Sequence, residues 1–387
     1  MFLQQTIKSN PKLVNTAFEF HQKGLIQPNT YLVDLEMIRR NSQLLLDEAK
    51  KHHLEIFFMT KQFGRNPLIA KEIVSTGIEK AVAVSPWEAL SLYKEGIKIG
   101  HVGHLVQIPK HLIPEIIALH PDFVTVFSYE HAKMISDVAE RMNKKQKILL
   151  RVANRTDFLY NGQEGGFTKE QIDEDIEKLE SLAGIEIAGL TSFPCMLIEN
   201  GVPKVTPNTF SMLEVKKLLM ARGYTHLEMN MPSANSTFTI KMIKEHGATQ
   251  IEPGHAFTGT TPMHAQGTLP NNAEKPAIVY VTEVSHIYEN KTYVYGGGFY
   301  PRGNIKRALM GTNFENCQEV QVIPNDPASI DYYGVLNTPE GQVGDTVVMA
   351  FRTQVFVTNA QIAVVDNIST GTPEILGIYD KNGNQIK

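Results

Sequence analysis

The stretch Leu54-Glu-Ile-Phe-Phe-Met-Thr-Lys-Gln-Phe-Gly-Arg-Asn-Pro67 decides how the rest of the chain is interpreted. Its first half, Leu54–Met59, is short, apolar and aromatic, which is typical of a fully buried β-strand. Lys61 ends this strand, and Gly64 and Pro67 then turn the chain into a helical segment. Where a buried strand ends at a pocket, desolvation lowers the pKa of a lysine and makes its amine available for a Schiff base. For this segment alone, an ordinary lysine that extends to water is the alternative interpretation.

The composition is that of a soluble globular protein. Of 387 residues, 42% are hydrophobic and 20% are charged, which allows two domains or one large domain with an appendage. A net charge of -4 offers no basic surface to nucleic acid or an anionic membrane, and no apolar run approaches bilayer length. The two distant cysteines, Cys195 and Cys317, indicate a reducing compartment. Since the N-terminus also lacks signal-peptide features, we expect a cytoplasmic protein without nucleic-acid or membrane partners.

Strands and helices alternate from the lysine strand to about residue 252. Strands are predicted at 54–59, 81–84, 101–106, 123–127, 147–153, 185–190, 227–230 and 249–252. Helices are predicted between nearly all of them, at 86–95, 109–119, 129–142, 168–183, 208–222 and 236–246. An eightfold alternation over about 200 residues favours an α/β fold in which the parallel strands close into a (β/α)8 TIM-type barrel.

The segments on either side of this alternation complete the predicted architecture. A short helix over 10–24, a strand at 30–34 and a helix over 35–53 precede it. After a linker at 267–272, turn signals separate β-type runs at 277–284, 292–295, 319–323, 346–351, 354–357 and 361–365. We therefore expect an N-terminal barrel domain over 1–268 and a C-terminal all-β domain over 269–387. The residues before the strand at 30–34 are an extension, and that strand is a candidate for pairing with the β-domain.

Polar residues collect at the predicted carboxyl ends of the barrel strands, where barrels of this type carry their chemistry. These residues are Lys61, His104, Gln107, Arg151, Asn154, Ser192, Cys195, Asn235, Ser236, Glu252 and His255. A lysine, a carboxylate and a run of small polar residues at one rim together predict a single site.

The order and spacing of several motifs resemble those of the alanine racemase-like, or fold-type III, pyridoxal-phosphate enzymes. The matching segments are Tyr31–Leu35 with Asn41, Phe58–Lys61, Glu88–Leu90 with Gly96 and Ile97, Ser233–Ser236, Glu252–Gly254 and Tyr295–Arg302. The resemblance covers most of the chain and implies a barrel followed by a β-domain. It also implies pyridoxal 5'-phosphate as the cofactor, Lys61 as its Schiff-base lysine, an amino acid as the substrate, and a homodimer with shared active sites.

The resemblance assigns the cofactor phosphate to two segments. Ser233, Asn235 and Ser236 introduce a predicted helix, and backbone N–H groups at a helix start together with small polar side chains form an anion site. Plain helix capping is the alternative for these residues. Gly254 and His255 are candidates to close the same phosphate site, although the decarboxylase branch of the family usually has an arginine in place of His255.

Glu252 separates the branches of the family. Racemases of this fold usually have Arg-Pro-Gly where this chain and the decarboxylase branch have Glu-Pro-Gly. A carboxylate beside the pyridine nitrogen keeps that nitrogen protonated, which makes the cofactor a stronger electron sink. Racemase-like chemistry is still the first expectation, because Tyr295 resembles the tyrosine that the partner subunit of a racemase supplies as second acid/base. Tyr300 is the alternative in the same motif, and a packed strand aromatic is the alternative to catalysis.

Departures from the family pattern leave the substrate and the reaction open. Arg155 and Cys195 are candidates for substrate contacts, the arginine through a carboxylate, with a solvated loop arginine as the alternative. Where the family often has a histidine near the cofactor ring, this chain has Thr191–Cys195, in which Phe193 is a candidate to stack. A decarboxylase or lyase is the rival enzyme, because of Glu252. A non-catalytic cofactor-binding protein acting in cofactor homeostasis is a further alternative, disfavoured by the presence of a β-domain.

In the β-domain, the run Gly341–Val348 through Val355–Thr358 also resembles the D-threonine aldolase and D-serine dehydratase branch, which uses a metal held by a histidine and a cysteine. The corresponding places in this chain hold Tyr333-Gly334 and Phe356–Thr358, which are not metal ligands. We therefore expect no metal.

Overall fold

The computed structural model describes residues 2–267, 269–326 and 328–387, which form two compact units. One unit comprises the N-terminal segment through Leu44, Thr60–Thr76 and the segment from Gly254 to the C-terminus. The other, which we call the barrel unit, comprises Leu45–Met59 and Gly77–Pro253. Thr268, where the predicted domain boundary falls, and Pro327, in a predicted turn, lie outside the described residues.

Side-chain caps decide where several helices begin. Asn66, Ser85 and Ser128 each accept a hydrogen bond from the first turn of the helix that follows. The helices of the described residues are α1 (Phe2–Ser9), α2 (Pro11–Gln22), α3 (Leu35–Lys51), α4 (Pro67–Ser75), α5 (Pro86–Lys94), α6 (Ile113–Ala118), α7 (Tyr129–Arg141), α8 (Lys169–Glu180), α9 (Pro207–Ala221), α10 (Ile240–Glu245) and α11 (Pro262–Gln266). One-turn 3-10 helices occur at Lys61–Phe63, Lys110–Leu112, Pro301–Gly303 and Val355–Val357. None of the helices that the described residues form is both long and apolar enough to cross a membrane.

The strands fall into a barrel, a sheet and a short hairpin. They are β1 (Thr30–Asp34), β2 (Glu55–Met59), β3 (Lys80–Ala83), β4 (Lys98–Val102), β5 (Phe123–Val126), β6 (Gln146–Arg151), β7 (Ile185–Thr191), β8 (Met196–Glu199), β9 (Val202–Val205), β10 (Glu228–Asn230), β11 (Gln250–Ile251), β12 (Ile278–Tyr288), β13 (Lys291–Tyr295), β14 (Arg307–Gly311), β15 (Gln318–Ile323), β16 (Tyr333–Leu336), β17 (Thr346–Met349), β18 (Gln361–Asp366) and β19 (Glu374–Tyr379).

Eight parallel strands of the barrel unit close on themselves, in the order β2-β3-β4-β5-β6-β7-β10-β11 and back to β2. Apolar side chains such as Phe57, Phe123 and Leu149 form a buried cluster of this unit. Gly100 in β4 is required for this packing, because a Cβ atom there would lie 2.3 Å from Cδ1 of Phe57. The predicted barrel is thus confirmed.

Some predicted bounds in the barrel unit are wrong. The strand predicted at 101–106 is β4, Lys98–Val102, because Gly103 takes a φ of 96°, which ends the strand. The helix predicted at 236–246 begins only at Ile240. The Thr239 hydroxyl accepts a hydrogen bond from the N–H of Ser236 (2.9 Å) and donates to the carbonyl of Ala234 (2.6 Å), and these bonds hold a turn instead. The helix predicted at 109–119 is divided into a 3-10 turn and α6, and the β8–β9 hairpin was not predicted.

The other unit contains a nine-stranded sheet in the order β13-β16-β15-β14-β17-β12-β1-β18-β19. The early strand β1 lies between β12, with which it pairs antiparallel, and β18, with which it pairs parallel. All five residues of β1 are buried, which explains why Tyr31, Leu32 and Val33 at its centre are apolar or aromatic. Helices α1 and α2 bury Leu13 and Phe18 in the same core as Val281 and Val348 of the sheet.

The β-domain differs from the sequence prediction in several elements. The run predicted as a strand at 354–357 forms the 3-10 helix Val355–Val357. Strands β14, β16 and β19 and helix α1 were not predicted, although the structure contains them. The chain nevertheless has the predicted fold class, a TIM-type barrel with a C-terminal β-domain built mainly of antiparallel strands.

Candidate functional site

A buried polar cluster lies at the carboxyl ends of barrel strands. We define the Glu252 cluster as His101 of β4, His104 after β4, Asn230 of β10 and Glu252 after β11. His101 is 0%, His104 is 1% and Glu252 is 3% exposed, so water cannot solvate the carboxylate. Because burying a charge is costly unless it is paired and hydrogen-bonded, this arrangement indicates a function or a strong structural reason.

The two carboxylate oxygens of Glu252 have different surroundings. Oε1 lies 2.5 Å from Nδ1 of His101 and accepts a hydrogen bond from Nδ2 of Asn230 at 2.8 Å. Oε2 is buried, lies 3.7 Å from Nε2 of His104, and has no hydrogen-bond donor within the described residues. Since a buried acceptor without a donor costs free energy, Oε2 is a place where a donor group of a ligand would fit.

The Glu252 carboxyl is ionised. Burial would raise its pKa, but the neighbouring His104 and His101 and the hydrogen bonds from His101 and Asn230 outweigh burial and lower the pKa to about 2. At neutral pH the carboxylate can therefore only accept hydrogen bonds.

Further side chains hold this cluster in place. The N–H of Glu252 donates to Oδ1 of Asn235 at 2.9 Å, and Nδ2 of Asn235 donates to the carbonyl of Met231 at 3.2 Å. Nε2 of His101 lies 2.6 Å from Oγ1 of Thr125 in the adjacent strand β5. The sequence assigned Asn235 to the cofactor phosphate, whereas its side chain here supports the backbone of Glu252. Neither His101 nor Thr125 was predicted, and the available signal was a polar residue inside an otherwise apolar strand.

Arg151 lies at the end of β6 and is 1% exposed. Its Nη1 donates to the carbonyl of His104 at 3.0 Å and its Nη2 to the carbonyl of Gln163 at 2.6 Å. The guanidinium also lies over the ring of Phe127, 4.5 Å from the centroid. Burial lowers the pKa of Arg151 to about 10, so the side chain stays protonated at neutral pH and fixes the segment that carries His104.

The Glu252 cluster also has the residue types of a metal site. Ligand atoms of His101, His104 and Glu252 lie within 4.8 Å of one another. His101, however, has both ring nitrogens engaged, one by Glu252 and one by Thr125. The cluster as arranged would offer a cation only His104 and Oε2, fewer than the three or four protein ligands of typical zinc sites. The arrangement suits a hydrogen-bond donor better than a metal ion.

The predicted phosphate residues of the barrel unit meet in one turn after β10. Ser233 and Ala234 have positive φ angles, 89° and 52°, which make the turn tight. The Ser233 hydroxyl donates to the carbonyl of Met196 at 2.8 Å, and the N–H of Ser236 donates to Thr239. The structure thus brings Ser233, Asn235 and Ser236 together, but these particular donors are used within the protein.

The two predicted substrate residues are not brought into the Glu252 cluster. Cys195 is 0% exposed, its Sγ donates to the carbonyl of Ser192 at 3.2 Å, and burial raises the pKa of its thiol to about 12. Arg155 is exposed on the loop after β6. Phe193, the candidate to stack on the cofactor ring, lies beside His104, with 6.3 Å between the two ring centroids.

Lys61 belongs to the unit that contains the sheet. It begins the 3-10 helix Lys61–Phe63, two residues after β2 ends, rather than ending the strand itself, and it is partly buried. Gly64 ends this turn with a φ of 69°, and a Cβ atom there would lie 2.8 Å from Cδ1 of Ile362. A Cβ atom on Gly254 would lie 2.4 Å from Nε2 of Gln62, so both glycines are needed for the close packing around the lysine turn.

His255 lies in the same unit, between two polar partners. Nε2 of Gln354 lies 3.1 Å from its Nε2, and Oγ1 of Thr260 lies 2.9 Å from its Nδ1. Because the Gln354 amide donates, the imidazole carries its proton on Nδ1. Burial, followed by the positive charges of Arg352 and Lys61, lowers the pKa of His255 well below its usual value. His255 is therefore neutral at physiological pH and offers hydrogen bonds rather than charge.

The two candidate tyrosines of the β-domain have different environments. Tyr295 is the last residue of β13, is 39% exposed, and lies opposite Tyr333 of β16 with 6.1 Å between the ring centroids. Tyr300 is partly buried and precedes the 3-10 helix Pro301–Gly303. The exposed position leaves the Tyr295 ring available to another molecule.

Comparison with protein families shows two matches that together cover most of the chain. Residues 33–262 match the family model described as alanine racemase, N-terminal domain. Residues 279–375 match the model described as YhfX-like, C-terminal domain. A relative from Escherichia coli strain K12 named "Uncharacterized protein YhfX" is 37% identical over 389 residues and is aligned over 100% of both chains.

Solved structures share the fold at low sequence identity. Alanine racemase of Clostridium difficile 630 in complex with cycloserine has a TM-score of 0.65 and 16% identity, covering 92% of this chain and 98% of that one. D-threonine aldolase from Filomicrobium marinum has a TM-score of 0.66 and 13% identity, covering 92% and 95%. At these identities the likeness concerns the fold and not the reaction.

Proposed function

The chain belongs to the alanine racemase-like, fold-type III family, and on that premise we propose that it is a pyridoxal-phosphate-dependent enzyme that acts at Cα of an amino acid. Racemisation is the reaction that we propose first. The observation that carries the cofactor assignment is the Glu252 carboxylate, which is ionised, buried, and presents Oε2 without a donor among the described residues. A protonated pyridine nitrogen is a donor of the required kind.

The chain topology supports Lys61 as the cofactor lysine. Lys61 follows β2, and Glu252 follows β11, the strand that pairs with β2 in the barrel. When bound, pyridoxal phosphate supplies an electron sink for the carbanion that forms at Cα. In the proposed reaction the Lys61 amine would hold the cofactor and would carry a proton at one face of Cα.

A second proton carrier is needed for racemisation, because the two protons are exchanged at opposite faces of Cα. We assign this role to the hydroxyl of Tyr295 from the partner subunit of a homodimer, with Tyr300 as the alternative. The exposure of Tyr295 supports this assignment, since a side chain that serves a neighbouring subunit has to project from its own. The dimer itself rests on the family.

We assign the cofactor phosphate to the turn with Ser233, Asn235 and Ser236 and to Gly254 and His255. A glycine is needed at position 254, because a Cβ atom there would lie 2.4 Å from Nε2 of Gln62. The neutral imidazole of His255, engaged by Thr260 and Gln354, would hold this segment in place. Arg155 and Cys195 receive no support as substrate residues from their positions.

Decarboxylation or a lyase reaction is the second candidate, and the ionised state of Glu252 favours it. A carboxylate rather than an arginine at this position would keep the ring nitrogen of a bound cofactor protonated, which would make that cofactor a stronger electron sink. A non-catalytic role in cofactor homeostasis is the third. We place the protein in the cytoplasm, which its two free thiols, Cys195 and Cys317, support.

The absorption spectrum of the purified protein with pyridoxal phosphate tests the cofactor assignment. The wild type should show the visible band of a Schiff base, Lys61→Ala should lose it, and the exposed control Lys94→Ala should keep it. Absence of the band in the wild type would exclude the cofactor and every role assigned through it.

The reaction can then be identified with a panel of D- and L-amino acids in deuterium oxide. Deuterium at Cα together with appearance of the opposite enantiomer indicates racemisation, and release of carbon dioxide indicates decarboxylation. A wild-type protein that holds the cofactor but changes no amino acid in the panel would favour the homeostasis role over an enzyme.

A further inference from the structure

We propose that His101 is a positioning residue that clamps one oxygen of the Glu252 carboxylate, so that the other oxygen is presented to the ring nitrogen of the cofactor. This inference rests on the proposed function, because it concerns the ligand that Glu252 would bind. It adds a residue that no sequence motif of the chain assigns.

The two oxygens of the Glu252 carboxylate have different contacts. Oε1 of Glu252 is occupied twice, by His101 and by Asn230, at 2.5 Å and 2.8 Å. A carboxylate held at one oxygen by two donors cannot rotate without breaking both bonds. Oε2 is thereby held in one position, buried and without a donor among the described residues.

The His101 ring is itself held in place by its neighbours. Its ring lies 0% exposed between Glu252 and Thr125, whose hydroxyl is 2.6 Å from Nε2. Nδ1 must carry a proton in order to donate to the ionised carboxylate, and Nε2 either accepts from the Thr125 hydroxyl or donates to it. Both arrangements keep the imidazole in the same orientation, so the barrel strands β4 and β5 determine where the carboxylate lies.

His101 differs from Asn230 and His104 in its contact with the Glu252 carboxylate. Asn230 donates to the same oxygen at 2.8 Å, and its side-chain nitrogen also donates to Oε1 of Gln250 at 3.5 Å. His104 lies 3.7 Å from Oε2, beyond hydrogen-bond distance. Among these three residues, His101 makes the shortest contact with the carboxylate and is tied to a further strand.

The test compares two cofactors that differ only at the ring nitrogen. Dissociation constants are measured for pyridoxal phosphate and for deazapyridoxal phosphate, in which a C–H group replaces that nitrogen, with wild type, His101→Leu and Glu252→Gln. We expect His101→Leu to weaken pyridoxal phosphate roughly 10-fold or more, the usual consequence of losing a hydrogen bond to a charged group. The deaza analogue should be affected far less, because it has no N–H to place against Oε2.

Matched variants separate positioning from a general structural role. His131 is partly buried in the same unit, and its ring binds the carbonyl of Ile108. His131→Leu therefore serves as the control and should leave the preference for pyridoxal phosphate over the deaza analogue unchanged. If His101→Leu does not fold, Thr125→Val removes the anchor with a smaller change in volume and should also reduce the preference for pyridoxal phosphate over the deaza analogue. His101→Gln, which keeps a donor, should retain part of that preference.

Each outcome decides the proposal. An equal loss of affinity for both cofactors, or no loss for either, would overturn the positioning role while leaving the proposed function intact. A wild type that binds neither cofactor would overturn the proposed function, and the inference with it. The proposal is supported if His101→Leu and Glu252→Gln each weaken binding of pyridoxal phosphate alone, and if the variant that combines both substitutions shows no additive loss of affinity.

Discussion

The guanidinium of Arg151 donates a hydrogen bond to the main-chain carbonyl of His104, 47 residues earlier in the chain, over 3.0 Å. A second bond to the carbonyl of Gln163 engages the other terminal nitrogen. A charged side chain at the end of β6 is thus used to position backbone of the neighbouring loops, one of which carries a member of the Glu252 cluster. This arrangement depends on the forked shape of arginine, which lysine lacks.

We therefore predict that Arg151→Lys lowers the free energy of unfolding by about 2 kcal/mol, because a lysine cannot reach both carbonyls and leaves one buried acceptor without a donor. Urea unfolding followed by circular dichroism measures the change. The same substitution at the exposed loop residue, Arg155→Lys, should change stability by less than about 0.5 kcal/mol. Equal effects at the two positions would contradict the role of the fork.

The contact between Gly100 and Phe57 predicts a specific rescue. Gly100→Ala places a Cβ atom 2.3 Å from the Phe57 ring and should destabilise the protein by about 1–3 kcal/mol through overpacking. Phe57→Leu removes the ring and should make the alanine tolerable, so the double variant should be more stable than the sum of the single changes predicts. Strict additivity in thermal or urea unfolding would show that the ring is not what excludes a side chain there.

The buried imidazole of His264 predicts a pH dependence of stability. It is 4% exposed, Nδ1 lies 2.7 Å from Oγ1 of Thr261 and Nε2 lies 3.1 Å from the carbonyl of Glu274. Burial lowers the pKa of His264 to about 4, so the unfolded chain binds this proton more tightly than the folded one. The resulting contribution is fully present above about pH 6.5 and is lost as the pH falls towards 4, up to about 3 kcal/mol.

The measurement is the free energy of unfolding between pH 7 and about pH 4 for wild type and His264→Asn. The variant should lose less stability on acidification than the wild type, although its stability at neutral pH is lower. The exposed His53 provides the control, because His53→Asn should leave the wild-type pH profile unchanged. A profile for His264→Asn as steep as that of the wild type would contradict the assignment.

The proposed second proton carrier predicts a difference between two tyrosines. Tyr295→Phe removes only a hydroxyl and should slow racemisation roughly 100-fold or more while leaving the cofactor band and the stability unchanged. Tyr333→Phe, the cross-strand neighbour, is the control and should retain the rate. A large loss in Tyr300→Phe instead would transfer the role to Tyr300, and full activity of both variants would exclude a tyrosine of this motif.

Most of the barrel was predictable because its information is local. The buried part of β2, Ile56–Met59, is apolar throughout, and helix caps such as Ser85 and Ser128 occur where the helices begin. The errors have local causes that the apolar pattern does not contain. Gly103 ends β4 early through a positive φ, and the side chain of Thr239 delays α10.

The β-domain was less predictable because the apolar pattern of several of its segments is weak or misleading. Val355–Val357 has strong β-propensity but forms a 3-10 turn beside the Lys61 turn, where Thr353 binds the carbonyl of Gln62. Strand β16 is only four residues long, and the first three residues of the edge strand β19 are not buried, so their sequences offer little apolar pattern to detect.

The sequence by itself determined the eight strands of the barrel, the turn that places Lys61 after the first of them, and the carboxylate after the last, since each follows from residues adjacent in the chain. Only the tertiary structure decided that His101 meets Glu252, 151 residues away, and that β1 lies between β12 and β18. The physical reason is that closure of the barrel and of the sheet brings together strand ends that are far apart in the chain. The local sequence pattern does not encode which of these ends become neighbours. Which polar side chains share a buried charge is settled by that closure.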